Sequence, residues 1–301
     1  MINTLPKLSE SEFTSLYIAA DEASKSTQNN YVLIVAIDLA LMVLASALAV
    51  YNYESVTSKL TLYVISGLFL LASFFLTIIL LTRKFEDSWY QGRALAESCK
   101  TLTWRFMTRS ELFEDSIQLE DAKQKFISRV QELGAEFPEL NRIMKAELLN
   151  KPVFTQMMLN VRSLSLSDRK DFYIQNRIED QKTWYAKKAS YNNNKYLLWF
   201  SLIIGSQGLS LISIVLLISN PRLNWNLVGF FTTISSASLS WLQLKRHQEL
   251  KQAYTTTSKE LNMISALADN ISSENEFSKF VLDSENAVSR EHTLWLAQRR
   301  K

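Results

Sequence analysis

Four stretches of the chain carry almost no charge and are flanked by polar sequence. Each has 20 to 24 residues, and about 20 residues are enough for a helix to cross the hydrocarbon of a bilayer. The pattern predicts an all-α membrane protein with four transmembrane helices. The predicted spans are 31–51, 60–82, 196–219 and 225–244.

Basic residues indicate the orientation, because Lys and Arg concentrate on the cytoplasmic side of a membrane. The two short loops between spans hold only Lys59 and Arg222. The basic residues at the other span ends are Arg83, Lys84, Lys187, Lys188, Lys195, Lys245 and Arg246. We therefore expect a multi-pass membrane protein with both termini in the cytoplasm. Residues 1–30 are polar, and the run from Tyr31 is too long for a signal peptide.

The two halves of the chain resemble each other. "YIAADEASKSTQNNY" at 17–31 precedes the first span, and "WYAKKASYNNNKY" at 184–196 precedes the third. Both hairpins begin on the same side, so the repeat is parallel, unlike the inverted repeats of many transporters. The predicted units are 1–160, with the first two spans, and 161–301, with the last two.

Helices are expected to continue beyond the membrane into a cytoplasmic bundle or coiled coil. No Gly or Pro interrupts 167–204, and Ser167 is the predicted N-cap of this long helix. The second span is expected to run on through 83–107. Shorter helices are predicted at 116–133 and 138–149, and 160–167 is the candidate linker.

The fourth span begins a pattern with a 3.5-residue period, which is typical of a coiled-coil seam. The pattern is small and hydroxylic in the membrane, then largely apolar or aromatic. Its positions are Gly229, Thr233, Ser236, Ser240, Gln243, His247, Leu250, Tyr254, Thr257, Leu261, Ile264, Ala268 and Ile271. His247 is interpreted as a packing residue, with pH sensing as the alternative.

The hydroxyl groups of the fourth span allow two interpretations. Small polar residues let helices approach closely and form hydrogen bonds of about 0.6 to 2 kcal/mol. Alternatively, they line a pore or water-filled cleft, with Thr233, Ser236, Ser240 and Gln243 as the candidate lining residues. A second small-residue set is expected to serve helix packing, namely Ser201, Gly205, Gly208 and Gly229.

Asp38 lies about two helical turns inside the first span. A carboxylate at that depth costs several kcal/mol unless it is protonated, hydrated or paired. It is therefore a candidate for the ion pathway or for proton sensing, and the alternative is a structural hydrogen bond to Ser, Gln207 or a Lys near the interface.

Few residues with catalytic or ligand chemistry are present. The single Cys99 and two histidines exclude a Cys/His zinc site, and the chain has no phosphate-binding glycine motif. No nucleophile–base pair is recognisable, so we expect neither enzymatic activity nor a cofactor. The net charge of +3 is explained by the span ends, and nucleic acid is not an expected partner.

Three polar stretches resemble the bacterial SLATT proteins, two-transmembrane effectors associated with nucleotide second-messenger systems. They are "SWYQGRALAESCKTLTWRFMTRSELFED", "RIEDQKTWYAKKASYNNNKYLLW" and "FSKFVLDSENAVSREHTLWLAQRR". The most specific positions are Arg93, Glu97, Lys100, Thr101, Trp104, Arg105, Glu285, Ser289, Glu291, His292 and Trp295. The first half looks like one SLATT variant and the second half like another.

This resemblance implies an oligomeric pore-forming effector in bacterial conflict or antiviral defence. Its trigger would be a separately encoded sensor or nucleotidyltransferase system, with a nucleotide second messenger as the indirect signal. The alternative is a membrane-anchored scaffold, in which the hairpins only anchor and the cytoplasmic helices recruit a partner.

Overall fold

The structure is a computed structural model that describes the backbone of residues 7–299 and the side chains of residues 7–289. The described residues form helices and no strand. The α-helices are α1 (Ser15–Leu48), α2 (Val56–Thr82), α3 (Phe85–Thr108), α4 (Leu119–Ala135), α5 (Ala146–Leu149), α6 (Gln156–Arg162), α7 (Leu166–Tyr173), α8 (Asp180–Ser219), α9 (Val228–Lys245), α10 (His247–Leu267) and α11 (Glu274–Arg299).

Within the described chain, three helical segments are long and apolar enough to cross a membrane. They are Ser15–Leu48, Val56–Thr82 and the run Leu166–Ser219. The fourth predicted span forms α9, which has 18 residues and is not among the three. Six hydroxyl side chains between 232 and 240 reduce the hydrophobicity of α9. The all-helical class and membrane-spanning helices are confirmed, whereas the fourth span stays a prediction.

The long helical run into the third span is confirmed with two differences. Ser165, not Ser167, caps the helix, because its hydroxyl accepts a hydrogen bond from the Asp168 backbone N–H at 3.2 Å. A π-helical turn, Ile174–Glu179, joins α7 to α8. Such a turn inserts one extra residue into a helix, and the hydrophobic pattern did not indicate it.

Two of the predicted continuous helices are broken. The second span ends at Thr82, because Arg83 adopts an extended backbone with ψ at 115°, and α3 begins at Phe85. The helix predicted to carry the seam pattern is interrupted at Arg246, which adopts a left-handed backbone. A seam that continues from Gly229 to Ile271 on one helix is therefore not the conformation seen here.

The middle of the chain differs from the predicted helices and from the predicted linker. Residues 116–133 correspond to α4, but Pro138 opens a 3-10 helix that ends at Arg142, followed by the four-residue α5. The candidate linker overlaps α6, and only residues 163–165 lie between α6 and α7. The non-helical connection is therefore shorter than the predicted linker, because Thr155 caps α6 and allows the helix to run to Arg162.

Two compact units divide the chain, and each draws on both halves of the sequence. Unit 1 comprises 1–28, 86–188 and 253–301, whereas unit 2 comprises 29–85 and 189–252. Unit 2 thus holds the residues of all four predicted spans. The predicted repeat units, 1–160 and 161–301, concern sequence similarity and stay a prediction.

The core of unit 1 is aromatic. The Trp104 ring is almost fully buried and lies 5.4 Å from the Tyr173 ring and 6.2 Å from those of Phe13 and Phe172. Aromatic side chains bury large apolar areas and favour tilted or edge-to-face contacts of this kind. Trp104 therefore stabilises the unit from within and offers no exposed face to a ligand.

Candidate functional site

One face of α9 is polar and open to its surroundings in a single chain. Ser236, Ser240 and Gln243 are exposed, and Thr233 is partly exposed. The Thr233 hydroxyl donates to the Gly229 carbonyl at 2.7 Å, so it is satisfied within its own helix. The four candidate pore-lining residues of α9 thus share a face that the described residues leave at least partly uncovered.

The neighbouring face of α9 packs against α8 through other hydroxyl groups. Ser235 is buried and donates to the Ile203 carbonyl at 3.4 Å, and Ser238 is buried as well. On α8, Ser210 is buried and donates to the Val228 carbonyl at 3.4 Å. These contacts bring the two helices together as a hairpin within unit 2.

Sequence reasoning missed the packing serines of α8. Ser206, Ser210 and Ser213 are all buried. Their spacing of four and three residues is a helical stripe, so the sequence did contain a signal for them. The predicted packing residues Ser201, Gly205 and Gly229 are exposed, and a Cβ added at Gly205, Gly208 or Gly229 would meet nothing within 4 Å. Their role in helix packing stays a prediction.

Asp38 is joined to the second span by a hydrogen bond. The buried Ser73 hydroxyl on α2 donates to the Asp38 carboxyl oxygen Oδ1 at 2.5 Å. The structural alternative for Asp38 thus has a specific partner. A neutral hydroxyl does not neutralise a carboxylate, so the cost of a charge at this depth is only partly offset. The roles in proton sensing and ion passage stay predictions.

A buried carboxylate organises unit 1. The Glu285 side chain on α11 is fully buried and accepts four hydrogen bonds. Both of its oxygens receive an Arg177 guanidinium N–H, at 2.9 and 2.7 Å. The Tyr173 hydroxyl and the Thr101 hydroxyl each donate at 2.9 Å. This set, called the Glu285 cluster below, ties α3, the π-helical turn and α11 together.

The remaining residues of the first SLATT-like run are also structural in this unit. The Arg93 guanidinium contacts the Glu97 carboxylate at 2.8 Å, and the Arg105 guanidinium donates to the Asn286 side chain at 3.1 Å. The Lys100 ammonium lies 5.7 Å from the Phe13 ring and 5.9 Å from the Tyr17 ring. Burial lowers the pKa of Lys100. The run therefore packs α3 rather than presenting free charges.

A second ion pair also binds α11, and it was not recognised from the sequence. The buried Arg169 side chain on α7 donates to both carboxyl oxygens of Glu274 at 2.5 Å. Glu274 is in the first turn of α11, where a carboxylate is favoured by the helix dipole. Together, Arg169 and Arg177 hold α11 at two points.

Three predicted motif residues, Glu291, His292 and Trp295, have side chains outside the described residues. Within the described part of the chain, no group of three His, Cys, Asp or Glu side chains is placed to hold a metal ion. Cys99 is buried, and burial raises the pKa of its thiol to about 12. A thiol with so little thiolate at neutral pH is unreactive.

Two family models match the chain, one in each half. Residues 14–170 match SLATT_3, described as SMODS and SLOG-associating 2TM effector domain 3. Residues 173–295 match SLATT_1, described as SMODS and SLOG-associating 2TM effector domain 1. The two matches meet near the π-helical turn. No curated protein and no solved structure matches the chain.

Proposed function

Because this chain belongs to the SLATT family of two-transmembrane effectors, we propose that it is an oligomeric pore-forming effector of a bacterial inner membrane. Each of its two SLATT domains would supply one hairpin, so α9 is the second span of the second domain. The hydrogen bonds between α9 and the apolar α8 support this assignment. The asymmetry of Lys and Arg supports cytoplasmic termini.

The observation that carries the proposal is the exposed polar face of α9. Ser236, Ser240 and Gln243 have no cover in a single chain. A hydroxyl can bond to its own helix, as Thr233 does, but hydrocarbon offers no partner to the Gln243 amide and no better packing for a row of hydroxyls. Water, a second copy of the chain or both would suit this face better than lipid. A ring of copies around a water path meets both requirements, and hydroxyl groups wet a path without trapping ions.

We further propose that the trigger comes from a separate protein. The family description names association with SMODS and SLOG partners. A sensor or nucleotidyltransferase of such a system would act on unit 1, with a nucleotide second messenger as an indirect signal. The intended outcome would be membrane permeabilisation during conflict or antiviral defence.

Ionic current from purified protein in a planar lipid bilayer tests the proposal. Ser236→Leu and Ser240→Leu are expected to reduce unitary conductance while leaving the oligomer intact. Thr77→Leu is the matched control, because Thr77 is an exposed hydroxyl residue on α2 and receives the same apolar bulk away from α9. Wild-type conductance in both serine variants would remove this face as the pathway. If the wild-type protein carries no current and water does not reach the exposed face of α9, the scaffold alternative is favoured.

A further inference from the structure

A single residue separates α9 from α10. Arg246 has φ of 47° and ψ of 39°, a left-handed conformation that the Cβ of an arginine disfavours. Helical hydrogen bonds persist on both sides, since the Arg246 N–H donates to the Leu242 carbonyl and the Arg246 carbonyl accepts from the Leu250 N–H, each at 3.0 Å. One backbone change at Arg246 would therefore make a continuous helix.

The sequence favours that continuous helix. The seam pattern passes the joint without a change of phase, through Ser240, Gln243, His247 and Leu250. Neither Gly nor Pro lies between 230 and 260. Local sequence and structure disagree here, which points to a tertiary contact that holds the bend.

The contact is made by the first turns of α10 with two adjacent asparagines of α8. His247 is buried, and its Nδ1 lies 2.7 Å from the Asn192 side-chain oxygen. The Lys251 ammonium donates to the Asn193 side-chain oxygen at 2.8 Å. All four residues belong to unit 2. The histidine is the only one of these four that titrates near neutral pH.

The surroundings of His247 are cationic. Burial is the main cause that lowers the pKa of His247, and the positive charges of Lys245 on α9 and Lys195 on α8 lower it further. The carboxylate of the first α10 turn, Glu249, is exposed and lies 3.3 Å from the Arg246 guanidinium. A protonated imidazole at this site would be a buried cation beside other cations, which is costly.

We propose that His247 is a proton-operated switch of the joint between α9 and α10. The neutral imidazole keeps its buried position against Asn192 and holds the bend. On protonation the imidazole leaves that position, Arg246 returns to a right-handed backbone, and α9 and α10 become one helix. The bend is complete above the ordinary pKa of histidine and is lost as the pH falls below it, through the lowered pKa of His247.

A distance between two spin labels in the full chain tests the switch without requiring conduction, so it is independent of the proposed pore. Labels at Leu239 on α9 and Gln252 on α10 are 13 residues apart, both positions are exposed, and both lie in unit 2. A continuous helix separates them by about 20 Å along its axis, and a bend shortens that distance. The shorter distance is expected at about pH 7.5 and the longer one at about pH 5.

Two variants show which histidine causes the pH-dependent change in distance. His247→Gln removes the titrating group and is expected to abolish the pH-dependent change in distance. His292→Gln, which removes the only other imidazole of the chain, is expected to retain it. An unchanged distance between the two pH values in the wild-type chain, or a retained change in His247→Gln, would overturn the switch.

The titration of the His247 imidazole can be measured in the wild-type chain, so this test does not require a folded variant. With two histidines in the chain, selectively labelled wild-type protein gives two imidazole titrations by NMR. His247 is expected to titrate below the ordinary histidine pKa, and its midpoint should coincide with the change in label distance. A His247 midpoint at or above the ordinary value contradicts the proposal.

Discussion

Arg177 and Glu285 form a fully buried, bidentate ion pair between the π-helical turn and α11. The arginine lies near the start of the segment that matches the second SLATT domain, and the glutamate lies near its end. The Thr101 hydroxyl, from the segment that matches the first domain, donates to the same carboxylate. The two domains of the chain therefore share one buried cluster in unit 1.

Breaking this pair on one side should destabilise unit 1 strongly. Glu285→Leu leaves a buried guanidinium without its carboxylate, and such losses cost about 3 to 5 kcal/mol. Thermal unfolding followed by circular dichroism in detergent should show a clear fall in Tm. The double variant Arg177→Met with Glu285→Leu should recover much of that loss, because neither charge of the pair remains. Equal stability of the single variant and the wild type would show that the pair does not hold α11.

Gly92 leaves little room for a side chain. A Cβ at this position would lie 3.1 Å from the Ser24 Cβ and 3.2 Å from the Ala20 carbonyl oxygen. Gly92→Ala therefore requires α1 and α3 to separate by a few tenths of an ångström and should lower stability by about 1 to 3 kcal/mol. Gly67→Ala is the matched control, since its Cβ would meet nothing within 4 Å. The same calorimetric Tm for the two variants would contradict the close approach of α1 and α3.

Gly205 reports on assembly rather than on folding. A leucine there has open space in a single chain, because nothing lies within 4 Å of a Cβ. If a second copy packs against this stripe, Gly205→Leu should reduce the oligomer size without lowering helix content. Native mass spectrometry in detergent measures the subunit number directly. An unchanged subunit number would remove this stripe from the interface.

Asp38→Asn separates the structural and ionic roles of the span carboxyl. The asparagine carbonyl can still accept the Ser73 hydroxyl, so the hydrogen bond between α1 and α2 should survive and stability should not fall. The carboxylate is lost, so the reversal potential should change if Asp38 lines the ion pathway. Reversal potentials identical to the wild type at every pH would make Asp38 purely structural.

Hydrophobic length predicted the three helical segments that are long and apolar enough to span a membrane, because a bilayer span needs about 20 apolar residues. The joint at Arg246 could not be predicted in this way, since its contact, between His247 and Asn192, joins residues 55 positions apart. The partners of Glu285 are 108 to 184 residues away for the same reason. Local patterns describe single helices, whereas these contacts depend on which helices become neighbours.

The predicted site was resolved in part. The sequence identified α9 as hydroxylic but could not say which of its faces packs against α8. Ser235 and Ser238 take that role, which leaves Ser236 and Ser240 exposed. Adjacent residues on a helix point about 100° apart, so the choice between these faces is set by the neighbouring helix and not by composition.

The reactivity of single cysteines towards a small charged thiol reagent tests the central claim, that the exposed face of α9 lines a water path. Cysteines at Ser236 and Ser240 are compared with cysteines at Ser238, buried against α8, and at Thr77, exposed on α2. Cys99 is replaced in this background, although its burial and raised thiol pKa of about 12 already make it unreactive. In bilayers, a pore predicts rapid modification at 236 and 240 and little at 238 and 77. Equal protection at all four positions would mean that this face is dry and would contradict the pore.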